Sequence, residues 1–128
     1  MPLTFSSNFS DYQTRIILHM EKWRSDSNCT SADTALLYDT EESVMKKHAA
    51  KVCFNCPVQN QCLYTAISIG ERYGVWGGLT PRQRKSLIKN LKLIAQSKNL
   101  QIDTWNNDVD NFIFQHTNFQ TAYNIISS

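Results

Sequence analysis

Four cysteines carry the chemistry open to this sequence: Cys29, Cys53, Cys56 and Cys62. The last three read C-x2-C-x5-C within Cys53-Phe54-Asn55-Cys56-Pro57-Val58-Gln59-Asn60-Gln61-Cys62. A two-residue gap lets two sulfurs bend towards one centre. A third sulfur turns inward if Cys53 ends one helix and Cys62 lies on the next, and Cys29 then arrives from a loop further up the chain. Four thiolates suit a tetrahedral zinc or an iron–sulfur cluster. The usual zinc patterns pair two short clips, whereas this chain has one clip and a distant fourth cysteine. That disfavours a zinc ribbon or finger and leaves zinc itself open. A cluster accommodates three close ligands and a remote one, because its irons occupy a larger volume. Unrelated buried thiols are an ordinary explanation for one or two cysteines, but a weak one for a run spaced like this. His48 lies five residues before Cys53, about 140° around a helix from it. His19, His48 and His116 are read as surface or half-buried residues and not as ligands.

The elements that must position these thiols are helical by pattern. Ile16, Ile17, Met20 and Trp23 recur at helical spacing and predict a helix over about 10–23. A second starts after Asp39-Thr40, with Glu41 and Glu42 suited to its first turn, and runs towards Lys51. A third is expected to open at Pro57 and to continue to about Arg72, with Gly74 ending it. Thr80-Pro81-Arg82-Gln83 is the clearest helix start in the chain, combining an N-cap, a proline at the first position and a capping-box glutamine. Leu87, Ile88, Leu91, Ile94 and Ala95 form its apolar stripe, while Arg82, Lys85, Lys89 and Lys92 line another face. Between the third and fourth helices, Gly74-Val75-Trp76-Gly77-Gly78 suits a tight turn. Residues 99–128 are rich in Asn and Gln with scattered aromatics (Trp105, Phe112, Phe114, Phe119, Tyr123), and suggest one or two short helices. The expected fold is therefore all-α, about four helices around the four cysteines. It divides into an N-terminal helix over 1–20, a cysteine domain over 21–95 and a polar, slightly acidic tail over 96–128.

A chain of 128 residues with 41% hydrophobic side chains makes one small domain, for which a metal is a useful staple. It has no apolar run long enough to cross a membrane and no secretory pattern at its start. A cytoplasmic setting is expected, where cysteines bind metals or do redox chemistry more often than they form lasting disulfides. The net charge of +2 is unevenly placed. Arg82, Arg84, Lys85, Lys89, Lys92 and Lys98 fall between residues 80 and 98, a stretch with no acid. Such a segment is read as a phosphate-contacting surface. Neutralising at most about five phosphates gives micromolar, salt-sensitive and non-specific binding.

Several motifs occur in a fixed order. Trp23 is followed by Cys29 six residues on, then by Cys53-x-x-Cys56-Pro57-Val58, Cys62-Leu63 and Gly74-Val75-Trp76-Gly77-Gly78-Leu79-Thr80, twelve residues after the last cysteine. Over about residues 21–90 the chain resembles the WhiB-like proteins, transcription regulators of actinobacteria and some of their phages.

The resemblance implies that Cys29, Cys53, Cys56 and Cys62 hold a [4Fe–4S] cluster. It implies that Trp76, in the turn built from Gly74, Val75, Gly77 and Gly78, anchors region 4 of the primary sigma factor. Trp23 and Leu37-Tyr38 would add contacts to the same partner, and Arg82, Arg84, Lys85, Lys89 and Lys92 would touch promoter DNA. Response to nitric oxide or oxygen and a monomeric state belong to the same expectation.

The chain departs from the family in two places. Leu37-Tyr38-Asp39 stands where Phe-Phe-Pro is usual, and the tail after Lys98 is acidic where many members are basic, so tight DNA binding by the chain alone is not expected. Two rivals differ in class. One is a structural zinc module that binds nucleic acid; the other is a disulfide reductase using Cys53-x-x-Cys56, which the helical context disfavours.

Overall fold

The structure is a computed structural model and describes residues 11–30, 37–38, 41–102 and 106–127. The Asp39-Thr40 helix start and Trp105 fall outside the described residues. The helices are α1 (Asp11–Trp23), α2 (Glu42–Val52), α3 (Gln59–Ile69), α4 (Pro81–Ser97), α5 (Asn107–His116) and α6 (Phe119–Ser127). Two single turns of 3-10 helix, Arg24–Asp26 and Asn28–Thr30, follow α1. Among the described residues the only β feature is an isolated bridge between Trp76 and Leu79. The fold is all-helical, as expected, with six α-helices among the described residues: four in the part expected to surround the cysteines and two in the tail, where one or two short helices are expected.

Helix α3 is the central element, because Leu63, Thr65, Ala66, Ile67, Ser68 and Ile69 bury nearly its whole circumference. Its buried Ser68 hydroxyl donates to the Tyr64 carbonyl at 2.7 Å, which satisfies a polar group that would otherwise be costly. The helix starts at Gln59 and not at Pro57. The chain first makes two tight turns through the cysteine loop, with Cys56 N–H on Cys53 O (3.0 Å) and Gln59 N–H on Cys56 O (3.2 Å). It ends at Gly70 and not at Gly74. Gly70 adopts φ 73°, and Glu71 N–H bonds back to Ala66 O at 2.9 Å in a Schellman-type closure.

Thr80 caps α4 as its sequence predicts. Gln83 N–H donates to Thr80 Oγ1 (3.2 Å) and Thr80 N–H donates to Gln83 Oε1 (3.0 Å). The Thr80 hydroxyl donates in turn to Glu42 Oε2 at 2.6 Å, tying α4 to the first turn of α2. On α2, Met45, Ala49 and Val52 form one buried stripe, which packs with Leu37, Val75 and Cys53.

Residues beyond α4 fold back on the domain. Val109, Phe112 and Ile113 of α5 and Ala122 of α6 share a buried core with Leu63, Ile67, Leu79, Leu87, Leu91 and Ala95. Asn106 caps α5 by accepting the Val109 N–H at 3.0 Å. The Tyr64 hydroxyl donates to the Asp110 carboxylate, linking α3 to α5, and α1 packs against α3. Helix α1 thus packs on α3, and α5 and α6 pack on α3 and α4.

Candidate metal centre

Each cysteine is placed by a different local device. Cys29 lies on the 3-10 turn after α1 and Cys53 directly follows α2. Cys56 sits in the loop between α2 and α3, and Cys62 is in the first turn of α3. Asn28 stitches the first of these segments to the second, since its side-chain amide donates to Val52 O at 3.0 Å.

Backbone N–H groups face three of the sulfurs. Asn28 N–H donates to Cys56 Sγ at 3.4 Å, Gly77 N–H donates to Cys62 Sγ at 3.2 Å, and Gly78 N–H bonds Cys53. The Ser27 hydroxyl lies 3.3 Å from Cys29 Sγ. Burial pushes the Cys53 thiol up to about 11, opposed by the Gly78 N–H and reinforced by Cys29 and Cys56. Burial likewise pushes Cys62 up to about 12, opposed by the Gly77 N–H and reinforced by Cys53, Cys29 and Cys56. Cys62 thus lies within electrostatic reach of the other three cysteines, and Cys53 within reach of Cys29 and Cys56. Among the described residues, no three His, Cys, Asp or Glu side chains are grouped as a single metal ion requires.

Four soft donors, three of them with N–H groups aimed at their sulfurs, form a set whose chemistry fits an all-thiolate metal group. As free thiols held protonated by burial, Cys53 and Cys62 are, conversely, poor nucleophiles. His19 is exposed and His48 and His116 are half-buried, in agreement with their sequence reading.

The glycine turn closes over this centre. Trp76 and Leu79 exchange two backbone bonds (3.0 and 3.1 Å) around Gly77-Gly78. Both glycines have positive φ, 60° and 88°, which is the type I′ hairpin geometry. Gln59 Nε2 donates to Gly77 O at 3.2 Å and holds the turn to the start of α3. Val75 N–H donates to Leu37 O at 2.8 Å on the other side.

The structure corrects the sequence reading at Arg84. Expected on the DNA-facing surface, it is 2% exposed. Its Nη1 donates to Gly74 O (2.7 Å) and Leu79 O (2.8 Å), and its Nη2 to Tyr73 O (3.2 Å) and Glu71 O (3.4 Å). Burial lowers its pKa to about 10, opposed by Glu71, Cys62 and Tyr38, so it stays charged at neutral pH. Arg84 is the clamp of the turn, and the sequence reading missed that role. The signal was present: Arg84, Leu87, Leu91 and Ala95 share one helical stripe, so an arginine there continues the buried face. Arg82, Lys85 and Lys89 are exposed and Lys92 is half-buried.

The aromatic residues divide between the core and the surface. Trp76 is 8% exposed, its Nε1 donates to Tyr73 O at 3.0 Å, and Arg24 lies over its ring at 5.8 Å. Trp23 and Leu37 are buried, as are Gly74, Val75, Gly77 and Gly78. Tyr38 (53%), Tyr73 (71%) and Phe54 (45%) are exposed aromatics beside the turn. Tyr73 was not singled out from sequence. Tyr38 packs where a Cβ on Gly74 would stand.

No helix among the described residues is long and apolar enough to cross a membrane. The family model of the transcription factor WhiB matches residues 23–87, which include all four cysteines and the glycine turn. Transcriptional regulator WhiB2 of Mycobacterium tuberculosis is 31% identical over 71 residues, covering 56% of this chain and 79% of that protein. Transcriptional regulator WhiB of Streptomyces coelicolor is 36% identical over 67 residues, covering 52% of this chain and 76% of that protein. No solved structure matches the chain. The match spans the cysteine loops, the turn and the clamp, and the chain belongs to the WhiB family: it is a transcription regulator, not an enzyme.

Proposed function

We propose that the chain holds a [4Fe–4S] cluster on Cys29, Cys53, Cys56 and Cys62 and docks on region 4 of the primary sigma factor in the cytoplasm. What supports this reading is the four-cysteine set inside the segment that matches the family, with backbone N–H groups bonded to three of the sulfurs. When bound, such a cluster supplies a redox- and nitric-oxide-reactive centre. The protein's own part is to hold the four ligands, aim N–H groups at their sulfurs and couple the site to the turn through Gly77 and Gly78.

The docking face is formed by Tyr38, Tyr73 and the Trp76 ring behind the exposed Arg24 side chain. A cation–π contact at an exposed site is worth only about 0.5–1 kcal/mol, so a partner can displace Arg24 and reach the ring.

Anaerobic purification followed by spectroscopy and metal analysis tests the cofactor. The expected result is a broad visible band with about four irons and four sulfides per chain. A colourless chain carrying one zinc overturns it. For docking, Trp76→Ala and Tyr73→Ala are each expected to weaken capture of sigma region 4 by about tenfold or more. Undiminished capture by both variants removes this face from the reading.

DNA contact is auxiliary in this proposal and comes from Arg82, Lys85, Lys89 and Lys92. Tethering to a promoter-bound sigma factor raises the effective DNA concentration for a weakly binding helix. The double variant Lys85→Ala/Lys89→Ala is expected to lower the slope of log affinity against log salt by about two. An unchanged slope places the phosphates elsewhere.

A further inference from the structure

Helices α5 and α6 lie beyond the segment that matches the family, yet α6 reaches the cysteine loop. Its first residue, Phe119, is held at both ends. The Phe119 N–H donates to Asn60 Oδ1 at 3.0 Å, in the same turn of α3 as Cys62. Its ring lies 5.0 Å from Phe54, tilted by 49°, and Phe54 stands between Cys53 and Cys56. Phe119 Cε1 is also 3.0 Å from where a Cβ on Gly78 would be, and Gly78 supplies the N–H that bonds Cys53. One turn on, Tyr123 extends the aromatic row at 5.6 Å, while Ala122 is fully buried and fixes the helix to the core.

We propose that Phe119 is a positioning residue of the metal centre. By pressing on Phe54 and Gly78 it holds the Cys53–Cys56 loop closed, and so sets how readily small oxidants and thiol reagents reach those sulfurs. The inference rests on the four cysteines being the ligand set. Phe54 is 45% exposed, so without Phe119 its ring loses the neighbour that fixes it and the loop opens more often.

The test compares Phe119→Ala with Phe119→Tyr and with Phe112→Leu in the full chain. Phe112 stacks on His116 within α5 and serves as a control for general loosening of the C-terminal helices. Two rates are read. One is bleaching of the visible band of the iron-loaded protein in air-saturated buffer. The other is alkylation of Cys53 and Cys56 by iodoacetamide in the reduced, metal-free protein, normalised to Cys29 by peptide mass analysis. Phe119→Ala is expected to raise both by about three- to tenfold, the scale on which a lost aromatic pair shifts a local opening. Phe119→Tyr restores wild-type rates, and Phe112→Leu lowers the melting temperature with no change in the alkylation ratio. Wild-type rates in Phe119→Ala, or equal acceleration by Phe112→Leu, overturn the proposal. A chain that takes up no iron overturns the cluster reading instead, and the alkylation ratio still decides whether Phe119 covers the loop.

Discussion

Replacing Arg84 with leucine is expected to cost about 2–4 kcal/mol of stability, the scale of leaving buried carbonyls without their donor. Two effects oppose each other. Leucine relieves the burial of a charge, and Nε of Arg84 is itself left without a partner among the described residues. However, the acceptors are backbone carbonyls of Glu71, Tyr73, Gly74 and Leu79, which remain after the side chain is gone. Gly74 and Leu79 are buried and accept the two shortest bonds, so their loss outweighs the relief. Arg84→Lys keeps the charge but has no planar fork, and is expected to recover less than half of the loss. Urea melts of the iron-loaded chain measure both. The salt slope of DNA binding should stay at the wild-type value in Arg84→Lys, unlike in Lys85→Ala/Lys89→Ala. Wild-type stability in Arg84→Leu would show that the turn holds without its clamp.

Much of this arrangement was legible in the residues, and the errors share a cause. The capping box at Thr80 and Gln83 and the stripe from Leu87 to Ala95 depend on neighbours within two turns, so local pattern sufficed. The α3 boundaries depend on more. Pro57 is a favoured first helical residue, but the cysteine loop uses it in a turn, and the first bond of α3 shown to close is Cys62 N–H on Val58 O at 2.9 Å. Gly70 falls at helical spacing from Leu63 and Ile67 and reads as interior, although its backbone leaves the helix there.

Arg84 is read from sequence by its side-chain type, as a charge for phosphate. Four converging carbonyls claim it for the fold. Those partners come from residues 5 to 13 positions away through an irregular turn, which periodicity does not reach. The short helices expected in the polar tail are α5 and α6, and Asn106 before Val109, Phe112 and Ile113 carries the cap and the helical stripe that make α5 legible.

Gly77→Ala is expected to be the most damaging single change in the turn, abolishing iron retention and costing about 3 kcal/mol or more through overpacking and backbone strain together. At φ 60° an L side chain is already strained. The new Cβ would stand 2.5 Å from Leu63 Cβ and 2.8 Å from both Gln59 O and Leu63 N. Two of those atoms are backbone near the start of α3, so relief requires the turn to lift away from the helix. Lifting it withdraws the Gly77 N–H from Cys62 Sγ, now 3.2 Å away, and carries the neighbouring Gly78 with it. Gly74→Ala is the informative comparison. Its φ of 71° imposes similar strain, but the atoms in its way belong to the Tyr38 ring, a half-exposed side chain that can swing aside. Gly74→Ala is therefore expected to keep its iron and lose less stability. Iron content after anaerobic purification, with the melting temperature of each variant, separates the two. Equal iron in Gly77→Ala and wild type would mean that the turn does not need its close approach to α3, and that the metal centre stands on the cysteines alone.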